Sequence, residues 1–399
     1  KISVVNAAAL ASGIPVMDRA ALLGQIMSHY ANSIAVSGTH GKTTTTSMLS
    51  HIFIAAEKDP TVTVGGVLKG IHGNIRLGHS ENFIAEACEY TNSFLKMFPR
   101  IGIILNIEED HLDFFKDLHD IRNSFTEFAK LIPSDGVLVI NGEIPYFREI
   151  PNKLSCRILT YATSEVCSDG NKPDYYAKNI DLSYPVQESQ QSQPSSHLHF
   201  APFFRLETPD GQSAEIVLSV PGKHNVSNAL AAAACADALG IDVNVTAHAL
   251  HNFNGTDRRF EFKGDLNGVT IIDDYAHHPS EITATLSAAQ NYPHKTLWCV
   301  FQPHTYTRTK ALLKDFARAL SLADKVVLAD IYAARETDTL GISSRNLQDE
   351  ITSLGVDCFY FESFAEIEEF VSENCINGDV LITMGAGNVH EIGEDLLKK

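Results

Sequence analysis

Short runs of consecutive apolar residues alternate along this chain with longer stretches whose apolar positions recur every three or four residues. In the first large section the runs fall at 34–37, 61–64, 83–85, 101–105 and 136–140. In the last section they fall at 269–273, 296–301, 325–329, 357–361 and 380–383, with helical periodicity at 280–290, 309–322 and 344–353. Apolar strands separated by helices predict parallel sheets with crossover helices, an α/β chain. The polar stretch 184–200 reads as a surface loop between two strands, and the Ala-rich stretch 229–239, which carries Asp237, as a buried helix. A boundary is expected near 258–262, where Asp257-Arg258-Arg259-Phe260-Glu261 precedes a fresh series of strands. The chain begins mid-element, so 1–30 reads as the tail of a preceding domain.

The run Ser37-Gly38-Thr39-His40-Gly41-Lys42-Thr43-Thr44 joins the strand at 34–37 to a helical segment beginning at Thr45. Strand, glycine turn, Lys-Thr and helix is the layout of a phosphate-binding loop, in which backbone N–H groups and a helix N-terminus face the anion. Lys42 adds a point charge and the Thr43 hydroxyl can hold Mg²⁺ beside the phosphates. The usual first glycine is replaced by Val36. The plain structural alternative is a glycine turn before a helix.

Two later strands end in acids and a histidine: Ala85-Glu86-Ala87-Cys88-Glu89, and Asn106-Ile107-Glu108-Glu109-Asp110-His111. Strand C-termini of an open parallel sheet line the ligand crevice, so Glu86 and His111 can meet the metal–triphosphate held by Lys42 and Thr43. Taken singly, each is equally a solvated or capping group. Pro221-Gly222-Lys223-His224-Asn225-Val226-Ser227-Asn228 precedes the Ala-rich helix. Ser227 or Asn225 can cap that helix, or the His-Asn group can read an adenine edge.

In the last section four strands each end in a polar or glycine turn: Asp273-Asp274-Tyr275-Ala276-His277-His278, Gln302-Pro303-His304-Thr305-Tyr306-Thr307-Arg308, Asp330 to Glu336 with Arg335, and Gly385-Ala386-Gly387. Four such turns mark one crevice edge. A zinc site at His277-His278 would need further ligands, and no suitable spacing supplies them.

At 399 residues the chain has room for two or three domains. A net charge of −18 excludes nucleic acid as a bulk partner but not a nucleotide, which needs only a local basic site. Seven scattered cysteines without a C-x-x-C pair fit reduced thiols in a cytoplasmic protein. No apolar run approaches the roughly 20 residues of a membrane span.

The G-T-H-G-K-T-T loop, the N-I-x-x-D-H run and the P-G-x-H-N-x-x-N-A segment resemble the Mur ligase family, ATP-dependent enzymes of peptidoglycan synthesis. So do Asp274-Tyr275-Ala276-His277-His278-Pro279, Phe301-Gln302-Pro303-His304 with Tyr306-Thr307-Arg308-Thr309, and Arg258-Arg259-Phe260-Glu261. The resemblance implies a remnant (1–30) of a UDP-sugar domain, a P-loop-type central ATPase domain (31–258) and a C-terminal Rossmann-like, doubly wound domain (259–399). It implies ligation of L-alanine to the lactyl carboxylate of UDP-N-acetylmuramate through an acyl phosphate, with ATP and Mg²⁺, in the cytoplasm. Recycling of a free tripeptide onto the same sugar, or ATP binding without ligation, are the alternatives. By resemblance, the 38–44 loop, His224, Asn225, Asn228, Arg259 and Asp274 face the nucleotide, and Thr43, Glu86 and His111 face the metal. Glu89, His304, Tyr306, Arg308 and Arg335 face the substrates. Lys42, Glu86, His111, His277 and Arg308 carry the chemistry, with His277 as a base for the amine.

Overall fold

The computed structural model describes residues 4–13, 16–71, 73–112, 114–185 and 200–398. Most of the stretch read as a polar loop at 184–200, namely 186–199, lies outside these described residues.

Ten strands make the first sheet: β1 (Asn32–Ser37), β2 (Thr61–Leu68), β3 (Gly73–Arg76), β4 (Asn82–Glu86), β5 (Ile101–Ile104), β6 (Val137–Asn141), β7 (Arg157–Ala162), β8 (Tyr175–Pro185), β9 (Phe200–Glu207) and β10 (Ser213–Val217). Their order is β10-β9-β8-β7-β6-β5-β1-β4-β2-β3. The strands from β8 through β7, β6, β5, β1 and β4 to β2 pair in parallel. Both edges are antiparallel, β8-β9-β10 as a meander and β2-β3 as a hairpin. β1 sits at the middle, and from Ser33 to Ser37 every residue is buried. A strand covered on both faces has no polar side to alternate with, which is why it reads as an unbroken apolar run. On one face pack the helices Lys42–Ala55, Lys223–Ala238 and Val243–His251; on the other packs Leu118–Ala129.

Six strands make the second sheet: β11 (Glu261–Leu266), β12 (Val269–Asp274), β13 (Leu297–Phe301), β14 (Lys325–Leu328), β15 (Asp357–Tyr360) and β16 (Val380–Met384), in the order β11-β12-β16-β13-β14-β15. All but the edge strand β11 run parallel. Helices cover both faces: Pro279–Ala289, Leu313–Leu320 and Ser344–Ser353 on one, Phe364–Asn374 and His390–Leu396 on the other. This is a doubly wound α/β sheet, and the crevice of such a sheet lies beyond the strand C-termini. The helix expected over 309–322 is two helices, Tyr306–Ala311 and Leu313–Leu320, because Leu312 leaves helical geometry at φ −110° and ψ 21°.

Candidate active site

β1 turns into the helix Lys42–Ala55 through Gly38 and Gly41. Gly38 has φ +146°, and a Cβ there would lie 2.8 Å from the Leu105 Cβ; Gly41 has φ +81°, and its Cβ would lie 2.6 Å from Asn228 Oδ1. Only glycine takes these conformations and approaches without strain. The turn is zipped to the segment after β5: Thr39 N donates to Asn106 O, His40 N donates to Asn106 Oδ1, and Glu108 N donates to Thr39 Oγ1. Gly41, at the helix N-cap, has no side chain to offer, so the first helical N–H groups are left for an anion. Lys42 Nζ donates to Gly38 O, to Thr39 O at 3.0 Å and to Glu89 Oε2 at 2.9 Å.

Thr43 and Glu86 converge on Gly65-Gly66 of β2. Gly65 N donates to Glu86 Oε1 at 2.6 Å, a Cβ at Gly65 would meet the Glu86 carboxylate at 2.9 Å, and one at Gly66 would meet Thr43 Cγ2 at 3.2 Å. His111 stacks on Tyr90 at 4.5 Å, and its Nε2 lies 3.8 Å from Glu89.

Two cavities open on either side of the segment Asn106–His111. One, of about 250 Å³, lies between His40, Gly41 and Thr44 of the loop, His224, Asn225 and Asn228, and Arg259 and Asp274 of the second sheet's side. The other, of about 510 Å³, is lined by Tyr90, His111, His304, Arg308 and Arg335 among others. Its wall residues His111, Thr305 and Ala334 all hold positive φ, at +52°, +66° and +52°. Such strain persists only where surrounding structure imposes it, and it gathers at functional sites.

The segment Glu108-Glu109-Asp110 is where the two halves meet. Ser280 Oγ donates to Glu108, His278 Nε2 pairs with Glu109 O at 3.0 Å, and Arg308 Nη2 donates to Asp110 Oδ1 at 2.8 Å. His40 Nδ1 lies 3.2 Å from Glu281, and its Nε2 lies 3.5 Å from Glu108.

Residues 36–236 match the Mur ligase middle domain and residues 258–387 match the Mur ligase glutamate ligase domain. The chain belongs to the Mur ligase family. The UDP-N-acetylmuramate–L-alanine ligase of Agathobacter rectalis is 58% identical over 393 residues, which are 98% of this chain and 81% of that relative. The enzyme of the same name from Lachnospira eligens is 54% identical over 98% of this chain and 81% of its own length. Among solved structures, UDP-N-acetylmuramate-alanine ligase MurC from Thermotoga maritima superposes with a TM-score of 0.79 at 26% identity, covering 99% of this chain and 81% of that one.

Against that family background, several placements differ from the sequence reading. Neither Ser227 nor Asn225 caps the helix Lys223–Ala238, whose N-cap is Gly222. Asn225 Nδ2 instead donates to Pro221 O at 2.7 Å, and Asn228 Nδ2 donates to Asn225 Oδ1 at 3.1 Å. His278 gains neighbours that spacing did not reveal, since ligand atoms of His40, Glu108 and His278 lie within 4.8 Å of one another. Both His278 ring nitrogens are engaged, Nδ1 by Ser280 N and Nε2 by Glu109 O, so the cluster works as a hydrogen-bonded joint. His277 and Tyr306 line neither cavity. The His277 ring lies 5.9 Å from that of His304, with its Nδ1 on Tyr275 O at 3.0 Å. Burial lowers the His277 pKa to about 4, against the pull of Glu281, so the ring is neutral at pH 7. Burial also raises Asp274 to about 6; its two oxygens accept from Ala276 N and Phe260 N.

Glu108, Asp110 and Glu281 were not assigned from sequence. For Glu108 and Asp110 the available signal was three acids in a row shortly after a strand, which on its own also fits a solvated turn.

Burial by itself would lower the proton affinity of His40, but Glu281 and Glu108 on either side raise its pKa to about 9. The folded protein therefore binds this proton more tightly than an unfolded histidine near 6.5 does. Its stabilising contribution is fully present below about pH 6.5 and is lost as pH rises through about 9. The thermal midpoint is expected to fall across that window, and His40→Gln to flatten the fall. An unchanged slope in the variant would assign the pH dependence to another group.

Proposed function

We propose that this chain is an ATP-dependent ligase that joins L-alanine to the lactyl carboxylate of UDP-N-acetylmuramate, releasing ADP and phosphate, in peptidoglycan synthesis. The observation that carries the reading is the opposition of a phosphate loop and an arginine-bearing cavity across the single segment Asn106–His111. We divide the chain at 258/259, with the nucleotide loop in the first half and the amino-acid cavity lined by residues of both halves.

The chemical obstacle is charge, because a carboxylate must attack a triphosphate. Lys42 and the open helix N-terminus neutralise the phosphates. Thr43 and Glu86, which both lie against Gly65-Gly66, and His111 would supply a hydroxyl, a carboxylate oxygen and an imidazole to Mg²⁺, of which the oxygens suit the ion. A divalent ion held there would offset the negative charge that develops on the transferred group. Attack by the lactyl carboxylate on the γ-phosphate gives an acyl phosphate and ADP. The alanine amine then attacks the acyl carbon and phosphate leaves. Arg308 takes the alanine carboxylate, and His277, one ring behind the cavity residue His304, is the proposed base for the amine, reached by way of His304. The nucleotide base sits against His224 and Asn228, and Asp274 and Arg259 close over it from the second half. ATP and a UDP-sugar are cytoplasmic metabolites, which places the reaction there. Among the described residues no helix is long and apolar enough to cross a membrane.

The test is ADP release by the protein with ATP, Mg²⁺ and UDP-N-acetylmuramate, with and without L-alanine. Release that requires both the sugar and alanine is expected. Release that requires a tripeptide in place of alanine would move the assignment to tripeptide recycling. Release indifferent to any amine would leave only the ATPase.

A further inference from the structure

Arg308 is held from the opposite half of the molecule. Its guanidinium gives Nε and Nη2 to one oxygen, Oδ1 of Asp110, at 3.2 and 2.8 Å, and Nη1 faces His304 Nδ1 at 3.3 Å. Three of its five N–H groups are thereby engaged, leaving one on each terminal nitrogen. Two parallel N–H groups on Nη1 and Nη2 are the fork that a carboxylate fills bidentately. The Arg308 side chain retains 12% of its surface, in the wall of the larger cavity, whereas Asp110 retains 8%.

We infer that Asp110 is a positioning residue for the amino-acid substrate: it grips one edge of the Arg308 guanidinium across the junction and presents the other edge to the alanine carboxylate. The inference rests on the ligase reading above. Asp110 touches no reacting atom. It follows β5 in the first half, whereas Arg308 lies on the helix Tyr306–Ala311 of the second, so the carboxylate fork is aimed only when the halves are closed. Amino-acid binding is therefore coupled to the joining of the two halves at Asp110 and Arg308.

Asp110→Asn, which keeps shape but removes the charge, should raise the KM for L-alanine by about ten- to a hundredfold, the scale set by misaiming a binding group by an ångström. The KM values for ATP and UDP-N-acetylmuramate should move less than about threefold, because no group at their expected sites changes. Asp110→Glu, which restores the charge on a longer stem, should recover part of the alanine KM. Arg308→Lys should raise the alanine KM by itself, and adding Asp110→Asn to it should add little, since both act through one guanidinium. Equal rises in all three KM values, a fall in kcat with alanine KM unchanged, a lowered alanine KM, or full additivity of the two substitutions would each overturn the proposal. If Asp110→Asn does not fold, the Arg308→Lys background with and without Asp110→Glu decides the same question. Failure of the unsubstituted enzyme to use alanine at all would instead remove the ligase reading, which is a separate result.

Discussion

Lys42→Met should lower the rate of ADP formation by about 10³-fold or more, equivalent to roughly 4 kcal/mol of lost transition-state stabilisation. Lys42 is the lysine of the phosphate loop, beside the protonated His40, and phosphoryl transfer depends almost wholly on positioning and charge. A second effect must be separated from this. The Glu89 side chain retains only 3% of its surface, and Lys42 is its direct partner. Burial would strip the lysine of its proton, but Glu89 and neighbouring anions raise its affinity instead. Removing Lys42 leaves a buried carboxylate whose remaining ion-pair neighbour among the described residues is His111 Nε2 at 3.8 Å, and uncompensated charges of that kind cost about 3–5 kcal/mol. Lys42→Met should therefore be both inactive and less stable. Lys42→Met with Glu89→Gln should regain stability, read as a thermal midpoint without nucleotide, and remain inactive. A double variant as unstable as the single one would show that Glu89 is not the source. A single variant with near-normal turnover would remove Lys42 from the chemistry.

Much of the frame was legible because its central strands are covered on both faces. β1, β4, β5 and β6 appear as apolar runs, and glycines, Lys-Thr and acids follow them at strand ends, where parallel sheets place ligands. The antiparallel meander β8-β9-β10 was not legible as such. It is an edge whose strands alternate weakly, and the polar segment at 186–199 interrupts the pattern between β8 and β9. The split at Leu312 was also hidden, since the apolar spacing on either side continues a single helical period. What sequence could not show at the site was pairing across the junction. Arg308 and Asp110 are 198 positions apart, and Ser280 and Glu108 are 172 apart. No local spacing encodes such contacts. For the same reason His277-His278 invited a search for nearby ligands, whereas the neighbours of His278 come from the phosphate loop and from the segment after β5.

Arg258→Met should destabilise the protein by about 3–5 kcal/mol while its neighbour Arg259 leaves stability almost untouched, a contrast that adjacent sequence positions would not suggest. Arg258 Nε donates to Asp273 at 2.9 Å, its Nη1 donates to Gly387 O at 3.1 Å and its Nη2 to Gly385 O at 2.7 Å. It thus ties the boundary between the halves to both β12 and the glycine turn after β16. Asp273 is fully buried, and its other oxygen accepts from Thr383 Oγ1 at 2.8 Å. Burial raises its pKa even with Arg258 present, so withdrawing the guanidinium strands either a charge or a proton in the interior. Arg259 instead lines the smaller cavity, with Nη1 3.7 Å from Glu281, and Arg259→Met should raise the KM for ATP. The sequence has one tryptophan, Trp298, buried in β13 with its Nε1 on Asp379 at 3.1 Å. Its fluorescence during denaturant titration reports unfolding of this sheet. The Arg258→Met midpoint should fall, and Asp273→Asn added to it should recover part of the loss, because the amide removes the stranded charge and keeps an acceptor for Thr383. A double variant no more stable than Arg258→Met alone would place the cost in the two glycine carbonyls rather than in the buried carboxylate.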